Sequence, residues 1–523
     1  MKSKKIDFIS IGFLIVAVFF AFIVRVLGQL GNTFPLNDGG LFYSMIRDLQ
    51  VEHFSLPVFT SYNGDIIPYA YPPLAFYIVG FLSTAFRWSV LSLVQWLPAI
   101  ISLLSIFSFY LLAQDILKSK KQGALATLIF SFIPTSFMWL IMGGGVTRSL
   151  GYLFALLAIW QLYHFYALEK KNIGFVIILS TLVVLTHPEA SVHVFIVAVF
   201  FFLYFKPTTK KSIQTLFVAF FVLFLSSPWW ITVVSRHGFS PFTAALLSSQ
   251  QDNVNLFERF FLFFKFSFTG EPNLTLIGVL GLLGIITLFN QKKYFIPIWF
   301  AYTFFLEPRS ASVYLVVLLA MTSAVFLEEI IFPVFQKTSR NFKNSPFPSP
   351  QNWAEKMLNS KASLLIFTFL FLYGTFSAFT VVWQVKEMWT LSSEERESFQ
   401  WIEQKTSPES QFLVLTSAQA MLDPVSEWFP AITERVSLAT VFGFEWLSDR
   451  RFGQRIEEYQ KLQLCLDEGD ECLDNWAENN SVEYTHVYLT KKHSFLALDL
   501  EASSKYKKIY QSENLQVFEK KIP

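Results

Sequence analysis

The chain has 523 residues, of which 53% are hydrophobic, 18% aromatic and only 15% charged. Because soluble domains carry roughly 25% charged residues, this composition excludes an ordinary soluble protein and indicates a polytopic membrane protein. About 24 of the 39 acidic residues follow Val385, so the net charge of +2 conceals an acidic C-terminal part, which predicts a water-soluble tail.

The first apolar run covers residues 6–27 and follows Lys2, Lys4 and Lys5. It is too long for the core of a signal peptide and lacks a small-residue cleavage site, so it predicts a retained span with a cytoplasmic N-terminus.

Membrane-length apolar runs and basic loops together predict eleven spans. Five basic loops then agree on one orientation, provided that the short apolar stretches 72–87 and 256–268 lie along the outer surface. The predicted spans lie near residues 8–27, 90–113, 122–142, 149–168, 172–187, 190–205, 212–234, 273–289, 294–307, 311–333 and 363–384.

An odd number of spans places the two chain ends on opposite sides of the membrane. We therefore predict a polytopic α-helical transmembrane domain over residues 1–388 and an extracytoplasmic α/β domain over residues 389–523. In that domain Ser392 and Glu395 form a capping box that opens a helix, and a second helix is predicted over 448–463. Strands are predicted at 412–415, 436–441, 484–490, 506–511 and 515–519.

The two cysteines, Cys465 and Cys472, both lie in this tail and are close enough in sequence to close a small loop. A disulfide is expected if the tail lies outside the cytoplasm.

Asp38 is the first acidic residue after the first span, and it would face a lipid headgroup on the outer side. Transfer of a sugar from a lipid phosphate to a hydroxyl needs a carboxylate that takes the hydroxyl proton and cations that stabilise the departing phosphate. Asp38 fits the first role, and Tyr43 in the same loop fits an interfacial or substrate contact. The same residues also fit a turn that caps a helix over 41–49.

Arg148 follows Gly143, Gly144 and Gly145, and its guanidinium could clamp a phosphate at the membrane edge. An arginine that snorkels at the interface is the alternative. The further candidates for donor-phosphate binding are His187, Arg236, His237 and Arg309.

Aromatic and acidic residues near predicted span ends and tail loops are candidates for substrate binding. Helix capping is the favoured explanation of His187 and Glu189 around Pro188, and plain packing is the favoured explanation of the tail aromatics. The candidates are Tyr43, Tyr71, Glu189, Trp428 and Trp446.

The sequence motifs do not indicate a metal site, a nucleotide-binding loop or a nucleic-acid-binding surface. His187, His193 and His237 lack a recognisable ligand spacing, so no metal site is predicted. The triglycine sequence lacks the Gly-Lys-Ser/Thr ending of a nucleotide loop, and no stripe of basic and aromatic residues indicates nucleic acid.

Four strings together resemble a known family: the acidic loop after span one, Tyr71-Pro72-Pro73-Leu74, Thr147-Arg148-Ser149-Leu150-Gly151 and Thr186-His187-Pro188-Glu189. The chain resembles integral-membrane glycosyltransferases of the C-type fold. Within that superfamily it is similar to the dolichyl-phosphate-mannose protein mannosyltransferases, the aminoarabinose transferases, the oligosaccharyltransferases and an uncharacterised bacterial branch.

The resemblance implies inverting transfer of a sugar from a polyprenyl-phosphate donor to a cell-envelope acceptor, a lipid, glycan or protein, at the outer membrane face. Asp38 would be the base or acceptor-orienting group, and Arg148 the phosphate partner. The chain lacks the Asp-Glu pair and the Trp-Trp-Asp motif of two relatives, so neither a peptide acceptor nor a required Mg or Mn ion is indicated.

Two other functions compete with this hypothesis. A flippase or transporter of lipid-linked sugars would place ionisable residues at mid-membrane depth, whereas here they concentrate at predicted span ends. A non-catalytic membrane protein whose tail binds envelope glycans would need far fewer spans than eleven.

The predicted orientation can be tested by thiol labelling. After reduction of intact cells, a membrane-impermeant thiol reagent should modify the tail through Cys465 or Cys472, because the tail is expected outside. Modification that occurs only after lysis would place the tail in the cytoplasm and overturn the orientation.

Overall fold

The structure is a computed structural model that describes residues 7–170, 172–249, 267–307, 311–337, 360–384, 389–447, 452–490 and 494–521. This part of the chain is mostly helical and contains a small β-sheet near the C-terminus. Arg309 and most of the predicted surface stretch 256–268 lie outside the described residues.

A helix occupies the place of each of the eleven predicted spans, and further helices lie between them. The helices before the tail are Phe8–Arg25, Gly40–Val51, Leu74–Phe86, Val90–Ile116, Lys120–Phe132, Gly145–Tyr166, Ile173–Val184, Pro188–Phe205, Thr209–His237, Ser240–Ser249, Leu276–Asn290, Phe295–Leu306, Ala311–Phe326, Phe332–Lys337 and Lys361–Gln384.

Within the described ranges, seven helices are long and apolar enough to cross a membrane, or eight if one sharply bent pair counts as a span. The other three predicted spans are the apolar helices Ile173–Val184, Leu276–Asn290 and Phe295–Leu306. A helix of 12 residues is about 18 Å long, shorter than the ~30 Å hydrocarbon core of a bilayer. The chain is thus a multi-pass membrane protein, and eight of the eleven predicted spans at most satisfy the length criterion.

The predicted span 122–142 is not one straight helix, because the helix Lys120–Phe132 ends and the chain turns by 94° into Pro134–Leu140. Pro134 has no backbone N–H and disfavours helical backbone at the preceding residue. Ile133 is extended, with φ −69° and ψ 118°. The break redirects the chain toward Gly143, the start of the turn that contacts Asp38.

Arg25 stabilises this break from inside the helix bundle. Its side chain is fully buried, and Nη1 donates to the carbonyl of Ser131 at 3.3 Å while Nη2 donates to Oγ of Ser136 at 2.9 Å. Nε donates to Oγ of Ser102 at 3.2 Å, and the guanidinium lies over the Phe137 ring. Non-helical backbone inside a membrane protein must find its partners within the protein, and Arg25 supplies them.

Two helix boundaries change the position of predicted site residues. The helix predicted from 149 begins at Gly145, so Arg148 lies in its first turn rather than in the preceding loop. The helix predicted to end at 234 continues to His237, so Arg236 and His237 lie in its last turn.

The tail, residues 389–521, contains the predicted α/β pattern. Its capping box between Ser392 and Glu395 is confirmed at the start of Ser393–Lys405. The helix predicted over 448–463 is Phe452–Leu464. The remaining tail helices are Pro424–Thr433, Asp470–Asn479 and Phe495–Ala502.

The tail contains five strands, which are β3 (Gln411–Leu415), β4 (Val436–Ser437), β5 (His486–Leu489), β6 (Tyr506–Gln511) and β7 (Gln516–Lys520). They form one sheet in the order β4-β3-β5-β7-β6, with β3 parallel to both β4 and β5 and the last two strands added antiparallel. The predicted strand 436–441 is too long, because only two residues pair and the chain then turns.

The first extramembrane loop contains a short hairpin of β1 (Phe59–Thr60) and β2 (Ile67–Pro68), and it is joined to the tail. Leu36 pairs with Thr390 in an isolated β-bridge, and Asn63 accepts a hydrogen bond from the backbone N–H of Ser437 at 2.7 Å. The first loop and the tail are therefore in direct contact.

We expect Arg25→Met to destabilise the fold by about 2–4 kcal/mol, because it removes the donors to Ser131, Ser136 and Ser102. The measurement is the midpoint of thermal unfolding in detergent. Ile15→Leu is the control, since Ile15 is 63% exposed on the same helix. Equal midpoints for the two variants would contradict this role of Arg25.

Candidate functional site

The first-loop segment, residues 35–40, is held against the triglycine turn, Gly143–Gly145. The backbone N–H of Gly143 donates to the carbonyl of Leu36 at 2.9 Å. A Cβ at Gly143 would lie 1.9 Å from the carbonyl oxygen of Asp38, so only glycine permits this approach. The glycines therefore contact the Asp38 backbone in this structure.

The Asp38 carboxylate is bound by the triglycine turn and by Arg148. Oδ1 accepts from the backbone N–H of Gly144 at 2.8 Å, and Oδ2 accepts from Nη2 of Arg148 at 2.6 Å. The helix Gly40–Val51 has Gly39 as its N-cap and no side-chain cap. Helix capping therefore does not account for the Asp38 side chain, which instead forms an ion pair across the loop contact.

Arg148 is oriented by a second acceptor. Its Nε donates to the carbonyl of Trp139 at 3.0 Å, and the guanidinium lies 5.8 Å from the centre of the Trp139 ring. Within the described part of the chain, Nη1 makes no hydrogen bond. The Arg148 and Asp38 side chains are 24% and 15% exposed, so the pair remains accessible to a ligand.

The tail covers the other side of the first-loop segment. Oε1 of Glu427 accepts from the backbone N–H of Gly39 at 2.8 Å, and the indole N–H of Trp428 donates to the carbonyl of Asn37 at 2.9 Å. Tyr62 of the first loop donates its hydroxyl to the backbone carbonyl of Glu427 at 2.8 Å. Two consecutive tail residues thus hold the two neighbours of Asp38 in the sequence.

Glu427 is the residue that sequence reasoning missed. It is 3% exposed, and burial raises its pKa well above the usual value for a glutamate, with the negative charge of Asp38 raising it further. The candidate residues for substrate binding included its neighbour Trp428 but not Glu427 itself. Its proximity to Asp38 has no local sequence signal, because 388 positions separate Glu427 from Gly39.

Tyr71 connects the ion pair to a cluster of three aromatic rings, the aromatic wall, formed by Phe42, Tyr71 and Trp446. Its hydroxyl lies 3.2 Å from Oγ1 of Thr147, the residue before Arg148. The ring packs edge-to-face on Phe42 and Trp446, with centroid distances of 4.8 and 5.5 Å. Tyr71 is buried, and this burial raises the pKa of its hydroxyl. The predicted residues Tyr71 and Trp446 therefore come together beside Arg148.

His187 and Glu189 occupy the start of the helix Pro188–Phe205, as the capping alternative expects. His187 Nδ1 accepts from the backbone N–H of Ala190 at 3.3 Å, and Pro188 is the first helical residue. The His187 ring also lies 6.3 Å from the Tyr71 ring, so this cap borders the aromatic wall.

Arg236 and His237 contact a different part of the first loop. Nη1 of Arg236 donates to the carbonyls of Leu56 and Pro57, and His237 Nε2 lies 2.9 Å from the carbonyl of Val58. Their donors are used by backbone carbonyls, and their part in phosphate binding stays a prediction. Arg309 lies outside the described residues.

The two remaining aromatic candidates differ in exposure. Trp428 is fully buried and packs against Phe34 at 4.7 Å, which favours the packing alternative. Tyr43 is partly exposed, and its ring lies 5.9 Å from Trp428 and 5.7 Å from the guanidinium carbon of Arg47.

A second buried pair lies among the membrane helices. His193 Nδ1 lies 2.7 Å from Oε1 of Glu307, and the His193 ring stacks on Tyr314 with a centroid distance of 3.6 Å. Both members of the pair are about 2% exposed. No local motif predicted it, because the two residues are 114 positions apart.

Cys465 and Cys472 form a disulfide next to the helices Phe452–Leu464 and Asp470–Asn479. Among the described residues, no group of three or more His, Cys, Asp or Glu side chains is arranged to hold a metal ion.

Gly144→Ala should displace the Asp38 carboxylate, because the added Cβ would lie 2.7 Å from Oδ2. We expect a loss of about 1–3 kcal/mol in the free energy of unfolding from this overpacking. In an Asp38→Ala background the same substitution should cost less, since the clashing carboxylate is gone.

Gly174→Ala is the matched control, because nothing lies within 4 Å of the added Cβ and the residue is helical. It should be neutral or stabilising by up to about 1 kcal/mol. Thermal unfolding of the four variants in detergent measures the cycle, and equal losses from Gly144→Ala in both backgrounds would contradict the contact.

Comparison with known proteins yields structural similarity alone. No protein-family model matches the chain, and no curated protein matches its sequence. Among solved structures, it is similar to the aminoarabinose transferase ArnT from Cupriavidus metallidurans bound to undecaprenyl phosphate, with a TM-score of 0.56, 12% identity and coverage of 97% of this chain and 98% of that one.

Two further structures match. The archaeal oligosaccharyltransferase AglB from Archaeoglobus fulgidus, in complex with an inhibitory peptide and a dolichol-phosphate, gives a TM-score of 0.57 at 12% identity over 92% of this chain and 69% of that one. The arabinofuranosyltransferase AftD from Mycobacteria gives 0.53 at 11% identity over the whole of this chain but only 40% of its own. The chain therefore has the C-type fold of integral-membrane glycosyltransferases, as its sequence motifs predicted.

Proposed function

We propose that the chain transfers a sugar, with inversion, from a polyprenyl-phosphate-linked donor to a cell-envelope acceptor at the outer face of the membrane. The acceptor is a lipid, a glycan or a protein. The observation that supports this function most is the accessible ion pair between Asp38 and Arg148, joined at 2.6 Å beside the first span of a glycosyltransferase fold.

In the proposed reaction, the acceptor hydroxyl attacks the anomeric carbon from the face opposite the phosphate. Asp38 takes the hydroxyl proton as the new C–O bond forms and the bond to the phosphate oxygen breaks. The polyprenyl phosphate leaves with both electrons of that bond, and Arg148 stabilises the resulting negative charge. One displacement at one carbon gives inversion.

The base Asp38 and the proposed phosphate site are linked, because both use the guanidinium of Arg148. In the structure, Nη2 of Arg148 is bound to Asp38. A donor phosphate presents two or more oxygens to the same guanidinium and competes for it, and Nη1 offers a further donor. Donor binding thereby loosens the ion pair and leaves the Asp38 carboxylate free to accept a proton.

Lipid-linked donors are supported by the ligands of two similar structures. The structure of ArnT contains undecaprenyl phosphate, and that of AglB contains a dolichol-phosphate. Both ligands are polyprenyl phosphates, the species that would remain after the transfer proposed for this chain.

Tyr71 and Trp446 are buried in the structure, and we propose that they support the substrate site next to the ion pair. Tyr71 lies beside Thr147 and packs on Trp446, and Tyr43 and Glu189 are proposed as further substrate contacts. His187, Arg236, His237 and Arg309 remain proposed contributors to the positive potential around the phosphate.

The proposed topology places this site outside the cytoplasm. Residues 1–388 form the transmembrane domain with a cytoplasmic N-terminus, and residues 389–523 form an extracytoplasmic domain. The contact between Gly39 and Glu427 supports a common side for the first loop and the tail. No step of the proposed reaction needs a metal ion, because Arg148 supplies the positive charge at the phosphate.

Asp38→Asn should lower turnover about 10²- to 10⁴-fold, because an amide cannot accept the hydroxyl proton. Gly144 can still donate to the amide oxygen, so the variant should fold, but its amide N–H₂ group faces the Arg148 donor and should lower the thermal midpoint. Transfer is measured with purified protein and a panel of polyprenyl-phosphate sugars. Glu52→Gln, an exposed carboxylate of the same loop, is the control.

Full activity of purified Asp38→Asn protein would remove the proposed base.

Arg148→Gln tests the phosphate role separately: undecaprenyl phosphate should raise the thermal midpoint of the wild type and not that of the variant. Binding of this lipid by a wild type that transfers no sugar would favour a transporter of lipid-linked sugars instead.

A further inference from the structure

Glu427 belongs to the tail but contacts the backbone of the candidate site. Its Oε1 accepts from Gly39, whose φ of +122° is available to glycine and unfavourable for other residues. A Cβ at the next residue, Gly40, would lie 2.7 Å from the backbone carbonyl oxygen of Glu427. The tail helix Pro424–Thr433 is thus seated directly on the start of Gly40–Val51, and the turn that carries Asp38 is fixed between them.

If Asp38 and Glu427 are both ionised, two negative charges face the single positive charge of Arg148. Arg148 is the cation bound to Asp38, and it uses Nη2 for that carboxylate. Oε2 of Glu427 is buried and, within the described residues, has no hydrogen-bond partner. A buried carboxylate with a bare oxygen is far more costly than a buried neutral carboxyl group. The geometry therefore fits a protonated Glu427.

The groups around Glu427 act on its pKa in opposite directions, and the effects that raise the pKa are the larger ones. Burial raises the pKa of Glu427 most, and the negative charge of Asp38 raises it further, whereas Arg148 and the backbone N–H groups of Gly39 and Leu41 lower it by less. Tyr62 donates to the backbone carbonyl of Glu427, and Glu445 adds negative charge near Tyr62. Asp423, at the start of the tail helix, is itself buried with a raised pKa.

We propose that Glu427 is a positioning residue of the transfer site: as a neutral carboxyl group it anchors Gly39 and leaves the Arg148 guanidinium to Asp38. The inference rests on the proposed function. If Glu427 ionises, two carboxylates compete for one guanidinium, the anchor on Gly39 is strained by repulsion from Asp38, and the base loses its orientation. The soluble tail is then a part of the active site rather than a separate module.

The first test measures stability against pH and needs no enzymatic activity. Because the folded chain holds the Glu427 proton where the unfolded chain has released it, wild-type stability should fall as pH rises from about 5 through the raised pKa. Glu427→Gln cannot ionise and should lack this component, so its thermal midpoint should fall less between about pH 5 and pH 9, by about 3 °C or more.

The second test measures transfer kinetics. Glu427→Gln keeps an acceptor oxygen for Gly39, so turnover near pH 7 should stay within about threefold of the wild type and extend to more alkaline pH. Glu427→Ala removes the anchor and should lower turnover about 10- to 100-fold with little change in the donor KM, because Asp38 loses its position. Glu434→Gln is the control, an exposed glutamate directly after the same helix.

If the wild type and Glu427→Gln show the same pH dependence of stability, the proposal that Glu427 is a neutral anchor of Gly39 is overturned. Wild-type turnover in Glu427→Ala, or strong inactivation by Glu427→Gln, would also overturn it. If Glu427→Ala does not fold, the glutamine variant still decides. Absence of transfer by the wild type itself would instead overturn the proposed function, while the stability test still reports on the Glu427 proton.

Discussion

One contact organises the candidate site: the turn that carries Asp38 is held between the triglycine turn and the tail. Gly144 and Arg148 bind the carboxylate, while Glu427 and Trp428 bind the backbone on either side of it. An unsupported loop at a membrane surface samples many conformations. Here backbone hydrogen bonds from two distant parts of the chain remove that freedom, so a charged pair can remain partly exposed and still be ordered.

The membrane part supplies the rigid side of this arrangement. The triglycine turn follows a helix that breaks at Pro134, and a break among apolar helices leaves backbone groups that lipid cannot satisfy. Arg25 reaches from the first helix and donates to Ser131 and Ser136 across the break. The orientation of the turn toward Asp38 is therefore linked to a buried guanidinium at the end of the first helix.

The tail supplies the other side, and its chemistry differs from that of an ordinary interface. Trp428 contributes apolar burial and one hydrogen bond, whereas Glu427 places a carboxyl group where only the neutral form is inexpensive. Such a contact is sensitive to pH as well as to packing. The contact couples the fold of the tail to the position of the proposed base Asp38, although Glu427 and Gly39 are 388 positions apart in the sequence.

The sequence by itself determined what depends on local patterns. Apolar runs predicted a helix at every assigned span, Ser392 with Glu395 predicted a capping box, and four short motifs predicted the fold. It also singled out Asp38 and Arg148 separately. The break at Pro134 was missed because an apolar run masks a proline, and the helix start at Gly145 because glycine is a weak helix former. Only the tertiary structure decided that Asp38 and Arg148 pair, that Glu427 anchors Gly39, and that His193 meets Glu307. These contacts join residues more than a hundred positions apart, and no local periodicity or spacing encodes which buried polar groups will meet.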